Sequence, residues 1–159
     1  SSASSSSTSP AQAKRSAACW AERMAFAVEH EITEHLRRLN ALGHYTLALV
    51  CTEDGLLIAS AGERLRSEMA AILTSLFNDI AVRAVRDLGL PQVDEFTLSD
   101  PVTGHLVVRP LDAGAHPRLF LVVQVPRARA WRRNTASVAR DLLAVLRPLL
   151  GARTGPSHD

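Results

Sequence analysis

A chain of 159 residues, 47% hydrophobic and 21% charged, suits one domain with tails and is long enough to bury a core of its own. Its formal net charge of +2 is too small to hold nucleic acid by bulk electrostatics. Two widely separated cysteines cannot form a disulfide framework or a four-ligand zinc site, and no apolar run reaches the ~20 residues of a membrane span.

The first ten residues, SSASSSSTSP, lack the apolar centre of a secretion signal and offer almost nothing to bury, so residues 1–15 are expected to form a disordered tail. From about Ser16 to Ala41, Trp20, Met24, Val28, Ile32, Leu36 and Leu39 recur at steps of three and four, one face of a long amphipathic helix. Gly43 is expected just past its end. Tyr45–Thr52 and Leu56–Ala61 then read as two strands joined at Asp54-Gly55, a pair that favours a tight primed turn with positive φ.

A second helix is expected over Arg66–Leu88, with Ser67 or a neighbour as its cap and Glu68 in its first turn. Met69, Ile72, Leu73, Leu76, Phe77, Ile80 and Val85, with Ala70, Ala71, Ala81, Val82 and Ala84, wrap its apolar surface well past the ~100° stripe that one sheet contact requires. Such a helix needs a second cover, and a partner subunit is the economical one. The alternative is a helix central in the monomer.

Gly89 and Pro91 stop this helix, and strands are expected at Val93–Ser99, Gly104–Leu111 and Arg118–Val125. The last, RLFLVVQV, is apolar enough for the centre of a sheet. A third helix, about Ala130–Leu149, carries Trp131, Thr135, Val138, Leu142, Val145 and Leu149 on one face. Residues 151–159 are expected to be a flexible tail behind a single domain over 16–150. The order α-β-β-α-β-β-β-α is an α+β design, a five-stranded, mostly antiparallel sheet between helices.

This order resembles the roadblock (dynein light chain roadblock-type) domain family. The matching pieces are LALVCTEDGLLIASAG, the Ala-rich MAAILTSLFNDIAVRAV, the strand HLVVRPL, and LFLVVQVP leading into the last helix, within Leu36–Leu150. The resemblance implies a non-enzymatic, cytoplasmic adaptor without cofactor. Roadblock domains pair through the second helix and the adjoining edge strand, here Met69–Val85 and Val93–Ser99. The implied dimer residues are Met69, Ile72, Leu73, Leu76, Phe77, Ile80, Phe96 and Leu98. Family members bind and regulate Ras-like small GTPases, and bacterial ones do so in cell polarity and motility; others are dynein light chains or scaffolds. Arg64, Arg66, Arg83 and Arg86, on or beside the second helix, are the candidate partner-binding residues. None is expected to act as an arginine finger, because family activators reposition the GTPase's own residues.

Enzymatic readings find no support. His30 and His35 in HEITEH stand five apart, about 140° around a helix, whereas helical metal motifs place His at i and i+4. Glu53, Asp54 and Asp100 fall in turns, where acids are common without catalysis. There is no GxxxxGK[ST], GxGxxG or GxSxG, so the chain is not expected to bind nucleotide itself. Cys19 and Cys51 are expected as reduced, mostly buried thiols. Seventeen of the eighteen basic residues are arginine, read first as coding bias. Arg127, Arg129, Arg132 and Arg133 cluster where the last helix begins, the unfavourable end of its dipole, either as a solvated turn around a packed Trp131 or for an acidic partner. Two other classes stay open: a scaffold pairing with other roadblock chains, and a profilin-like sensor. The latter needs convergent polar groups in a cavity, and the strands offer few beyond Gln124 and Arg109.

Overall fold

The structure, a computed structural model, describes residues 9–111 and 117–151. The expected Ser-rich head as far as residue 8, the turn around Gly114 and the tail beyond residue 151 lie outside the described residues, as do the side chains of Trp20, Met24 and Leu149. The elements are α1 (Pro10–Gly43), β1 (Leu47–Thr52), β2 (Leu57–Ala61), α2 (Arg64–Leu88), β3 (Phe96–Asp100), β4 (Gly104–Pro110), β5 (Leu119–Val125) and α3 (Arg132–Gly151).

The five strands form one sheet in the order β2-β1-β5-β4-β3, every neighbouring pair antiparallel. The nearly all-apolar β5 takes the centre, as its composition required, and β2 and β3 are the edges. Strand alternation divides the core into two layers. Ala48, Val50, Leu121, Val123 and Val107 pack with Ile32, Leu36, Leu39, Val138 and Leu142 of α1 and α3. Leu47, Leu49, Cys51, Phe120, Val122 and Val108 pack beneath α2 with Ala70 and Ala71.

Several boundaries differ from expectation for identifiable reasons. α1 starts at Pro10 rather than Ser16, because Ser9 closes a capping box with Gln12 and Pro10 takes the first helical position. Its 34 residues span about 51 Å, but burial begins only near Val28 and Ile32, so the first half runs beyond the sheet. Gly43 is the last helical residue, and His44 takes the left-handed cap at φ 54°. Glycine is required at 43 for space, since a Cβ there would lie 2.0 Å from the Tyr45 ring.

The β1–β2 connection is not a primed two-residue turn. Only Gly55 has positive φ (84°); Thr52 O accepts from Gly55 N at 3.0 Å, Thr52 N donates to Leu56 O, and the ladder slips between Val50 and Cys51. The turn therefore carries one residue more than a tight hairpin, with Gly55 pressed on α2: its Cβ would stand 3.1 Å from Ala71 O. α2 begins at Arg64, with Glu63 at the cap position making no side-chain bond; Ser67 lies inside the helix, its hydroxyl donating to Glu63 O. Glu68 falls after the first turn and pairs with Arg64 at 3.1 Å. β3 starts at Phe96, the Pro91–Glu95 segment remaining outside the ladder.

Candidate interface on α2 and the edge strand

α2 presents two opposed faces built on the same three-and-four spacing. Toward the sheet it turns Ser67, Ala70, Ala71, Thr74, Asn78 and Ala81, all buried and all small or polar. Half a turn away stand Leu65, Met69, Ile72, Leu73, Leu76 and Ile80; Met69 is 58% exposed, Ile72 61%, Leu76 56% and Ile80 52%. Small residues let the helix lie close on β1, and Thr74 satisfies its buried hydroxyl by donating to Ala70 O at 2.8 Å. The large side chains are thereby left outside. An apolar stripe this continuous on a monomer's surface is the mark of an interaction face.

Among the residues expected at an interface, Met69, Ile72, Leu73, Leu76 and Ile80 share this outer face. Phe77 does not: it is half-buried against the sheet and stacks on Phe96 of β3. Leu98 is 57% exposed on the edge strand. Between Leu73 and Met69 on α2 and Leu98 and Leu106 on the sheet runs a cleft of about 270 Å³, floored by Leu47 and Ala70 and rimmed by Arg66, Asp100 and Gln124. The outer stripe, this cleft and the free edge of β3 form one continuous surface. Arg109 opens instead on a small cleft of about 140 Å³ with Asp94, so it does not converge with Gln124.

Arg64 pairs with Glu68, and Arg86 with Asp87 at 2.7 Å, a contact that also raises the Arg86 pKa. Arg66 and Arg83 are exposed and make no ion pair among the described residues. Asp100 is engaged locally: it accepts from Val102 N and Thr103 Oγ1, which holds its carboxyl below the usual range.

Within the arginine cluster, Arg127 and Arg132 make contacts inside the domain while all four side chains stay exposed. α3 begins at Arg132, so Arg127 and Arg129 lie in the turn before it, and Arg127 donates to Pro101 O at 2.7 Å. Trp131 is half-buried; its indole N–H donates to Glu95 Oε1 at 3.0 Å, and Arg132 lies 4.8 Å from its ring centroid and 3.8 Å from the other Glu95 oxygen. His105 packs on the same indole at 4.7 Å while its Nδ1 bonds Ser99 Oγ at 2.8 Å. These contacts clamp the edge strand to the start of α3. Sequence reading missed Glu95, which fell inside the strand expected over Val93–Ser99 and carried no signal of its partner Trp131.

Of the cysteines, Cys51 is buried and Cys19 is exposed, contrary to the expectation for the latter. Burial pushes the Cys51 thiol up to about 11. Among the described residues no cluster of His, Cys, Asp and Glu could hold a metal, and no helix is long and apolar enough to cross a membrane.

Solved structures give the arrangement a place. An MglB with tetrameric arrangement matches with a TM-score of 0.67 over 78% of this chain and 93% of its own, at 14% identity. The gliding protein MglB from Thermus thermophilus matches at 0.62 over 77% and 93%, with 16% identity. A Roadblock/LC7 domain from Streptomyces avermitilis matches at 0.58 over 75% and 97%, with 18% identity. The chain has the roadblock/LC7 fold. No protein-family model matches its sequence, and no curated protein matches it in sequence either. The roadblock fold thus rests on the order and packing of its elements, and α2 and β3 occupy the positions through which the resemblance implies pairing.

Proposed function

We propose that this chain is a non-enzymatic adaptor that self-associates through α2 and β3 and binds and regulates a Ras-like small GTPase. The observation that carries the reading is the exposed apolar stripe Leu65–Ile80 beside an unpaired edge strand. A symmetric pair would bury twelve such side chains, six from each copy, each already about half covered and so supplying roughly 1 kcal/mol, on the order of 10 kcal/mol together. Association costs roughly 4–15 kcal/mol, so the stripe alone is near break-even. Backbone pairing along β3 supplies the remaining attraction and fixes the register of one copy on the other.

The GTPase half of the proposal rests on the family resemblance and on arginines left for a partner. Arg66 and Arg83, without ion pairs of their own among the described residues, and Arg64 and Arg86, in exposed pairs that a partner carboxylate can replace, flank the stripe. Regulation requires binding one nucleotide state better than the other. The test is capture of partners from native lysate with a GTP analogue and with GDP, read by mass spectrometry. Enrichment of a small GTPase in one state is expected; capture indifferent to nucleotide would defeat the regulator reading.

The second reading is a cytoplasmic scaffold that pairs with other roadblock chains and never meets a GTPase. The tetrameric arrangement of the similar MglB supports the self-association that both readings share, and roadblock chains alone in the same capture would establish the scaffold.

A further inference from the structure

We propose that the cleft beneath the C-terminal half of α2 binds a small zwitterion with an apolar side chain, an amino acid of the leucine or valine class. Its carboxylate would sit on Arg118 and its ammonium on Glu53. The cleft encloses about 400 Å³ between Ala81, Val82 and Val85 of α2, the Pro91–Val93 connector, and the ends of β1 and β5. That lies at the small end of the range of about 300–1,000 Å³ for ligand sites.

The polar groups carry the assignment. Arg118 precedes β5, and its backbone oxygen accepts from Glu53 N at 3.0 Å, so the two residues are neighbours across the extension of the β1–β5 ladder. They carry opposite charges, yet no ion pair closes between them. The guanidinium instead reaches the buried Asn78, whose Oδ1 accepts from Nη1 at 3.4 Å, and Arg118 Nε is buried with no hydrogen-bond partner among the described residues. That Nε–H is withdrawn from water without an acceptor, which is unfavourable. A carboxylate in the cleft supplies two acceptors in the planar geometry that arginine matches.

Glu53 lines the same cleft and would repel a simple anion, but it suits a ligand carrying an ammonium beside its carboxylate. Of the remaining walls, Gln92 is polar, and Ala81, Val82, Val85, Pro91 and Val93 are apolar and suit an aliphatic side chain. None of these residues belongs to the outer stripe Leu65–Ile80.

The test is amide NMR of the full chain titrated with leucine, N-acetylleucine and leucinamide. Millimolar leucine is expected to shift the amides of Glu53, Ala81, Val85, Val93 and Arg118. Removing either charge from the ligand should weaken the response about tenfold or more, the loss of one charge-assisted hydrogen bond. Arg118→Lys, if its spectrum stays dispersed, should weaken leucine binding similarly, because an ammonium lacks the planar fork. No shift with leucine would overturn the proposal, as would leucinamide or N-acetylleucine matching leucine, or a folded Arg118→Lys chain binding as the native one does. If Arg118→Lys unfolds, the ligand comparison on the native chain decides alone.

Discussion

The ring of Phe77 on α2 stacks on that of Phe96 on β3, with centroids 5.7 Å apart and planes inclined by 19°. α2 rests mainly on the β1 side of the sheet, so this pair is its aromatic tie to the far edge strand. Leu76, one residue earlier, points to solvent. Two adjacent apolar residues therefore do different work, one holding the sheet together and the other facing outward.

That division predicts opposite outcomes at neighbouring positions. Leu76→Glu should give a folded monomer by light scattering, with an unfolding midpoint that no longer rises with protein concentration as that of the self-associating native chain does. Phe77→Ala should lower stability by about 2 kcal/mol in urea unfolding, less than the roughly 3–5 kcal/mol of a fully buried phenylalanine. A dimeric Leu76→Glu protein would contradict the proposed pairing face.

The sheet-facing seam of α2 makes a second forecast. Ala71 is fully buried, and its backbone already touches Gly55. Ala71→Leu must push the helix off β1, which should cost about 1–3 kcal/mol or more, the range for overpacking. Ile72→Ala, one position on and exposed, should change stability by less than about 0.5 kcal/mol when compared within the Leu76→Glu chain, where pairing does not contribute.

The two thiols should react very differently. Exposed Cys19 should be alkylated near pH 8, whereas Cys51 should react only on unfolding. Desolvation lifts Cys51 from its ordinary 9.0 to about 11, partly opposed by the neighbouring Thr74 side chain. The native state thus holds this proton more tightly than the unfolded chain does. Its contribution to stability is complete below pH 9, falls as pH rises from there, and is lost by about pH 11. Urea unfolding of native protein and Cys51→Ala across that range checks the slope, which the variant should lack.

Removing Glu95 should loosen the edge strand without unfolding the domain. Its carboxylate receives the Trp131 indole N–H and lies near Arg132. Glu95→Gln keeps an acceptor for Trp131 but drops the charge; Glu95→Ala drops both. The expected order of hydrogen-exchange protection at Phe96–Asp100 is native, then Gln, then Ala, with the Ala variant losing about 1 kcal/mol, the scale of one hydrogen bond. Equal protection in all three would mean that the clamp does not hold β3.

Periodicity in the sequence revealed the element order, the central place of β5 and the excess apolar surface of α2. Periodicity reports which residues share a face but not which face is inward, and on α2 the intuitive choice of large residues for the core fails. The sheet takes Ala70, Ala71 and Thr74 because only small residues allow so close an approach. Contacts between residues distant in sequence, Glu95 with Trp131 and Arg118 with Asn78, leave no local pattern. The form of the turn at Gly55 is not legible either, because Asp-Gly suits both a primed turn and a bulged one, and only the helix packed against Gly55 distinguishes them.

The outward stripe of α2 also has a bearing on supply inside a cell. A chain newly made and still alone displays the greasy surface that chaperones and proteases read as unfinished. Covering that surface hides the signal. Abundance of the protein would then follow the concentration at which that surface is covered, with quality control removing chains left alone.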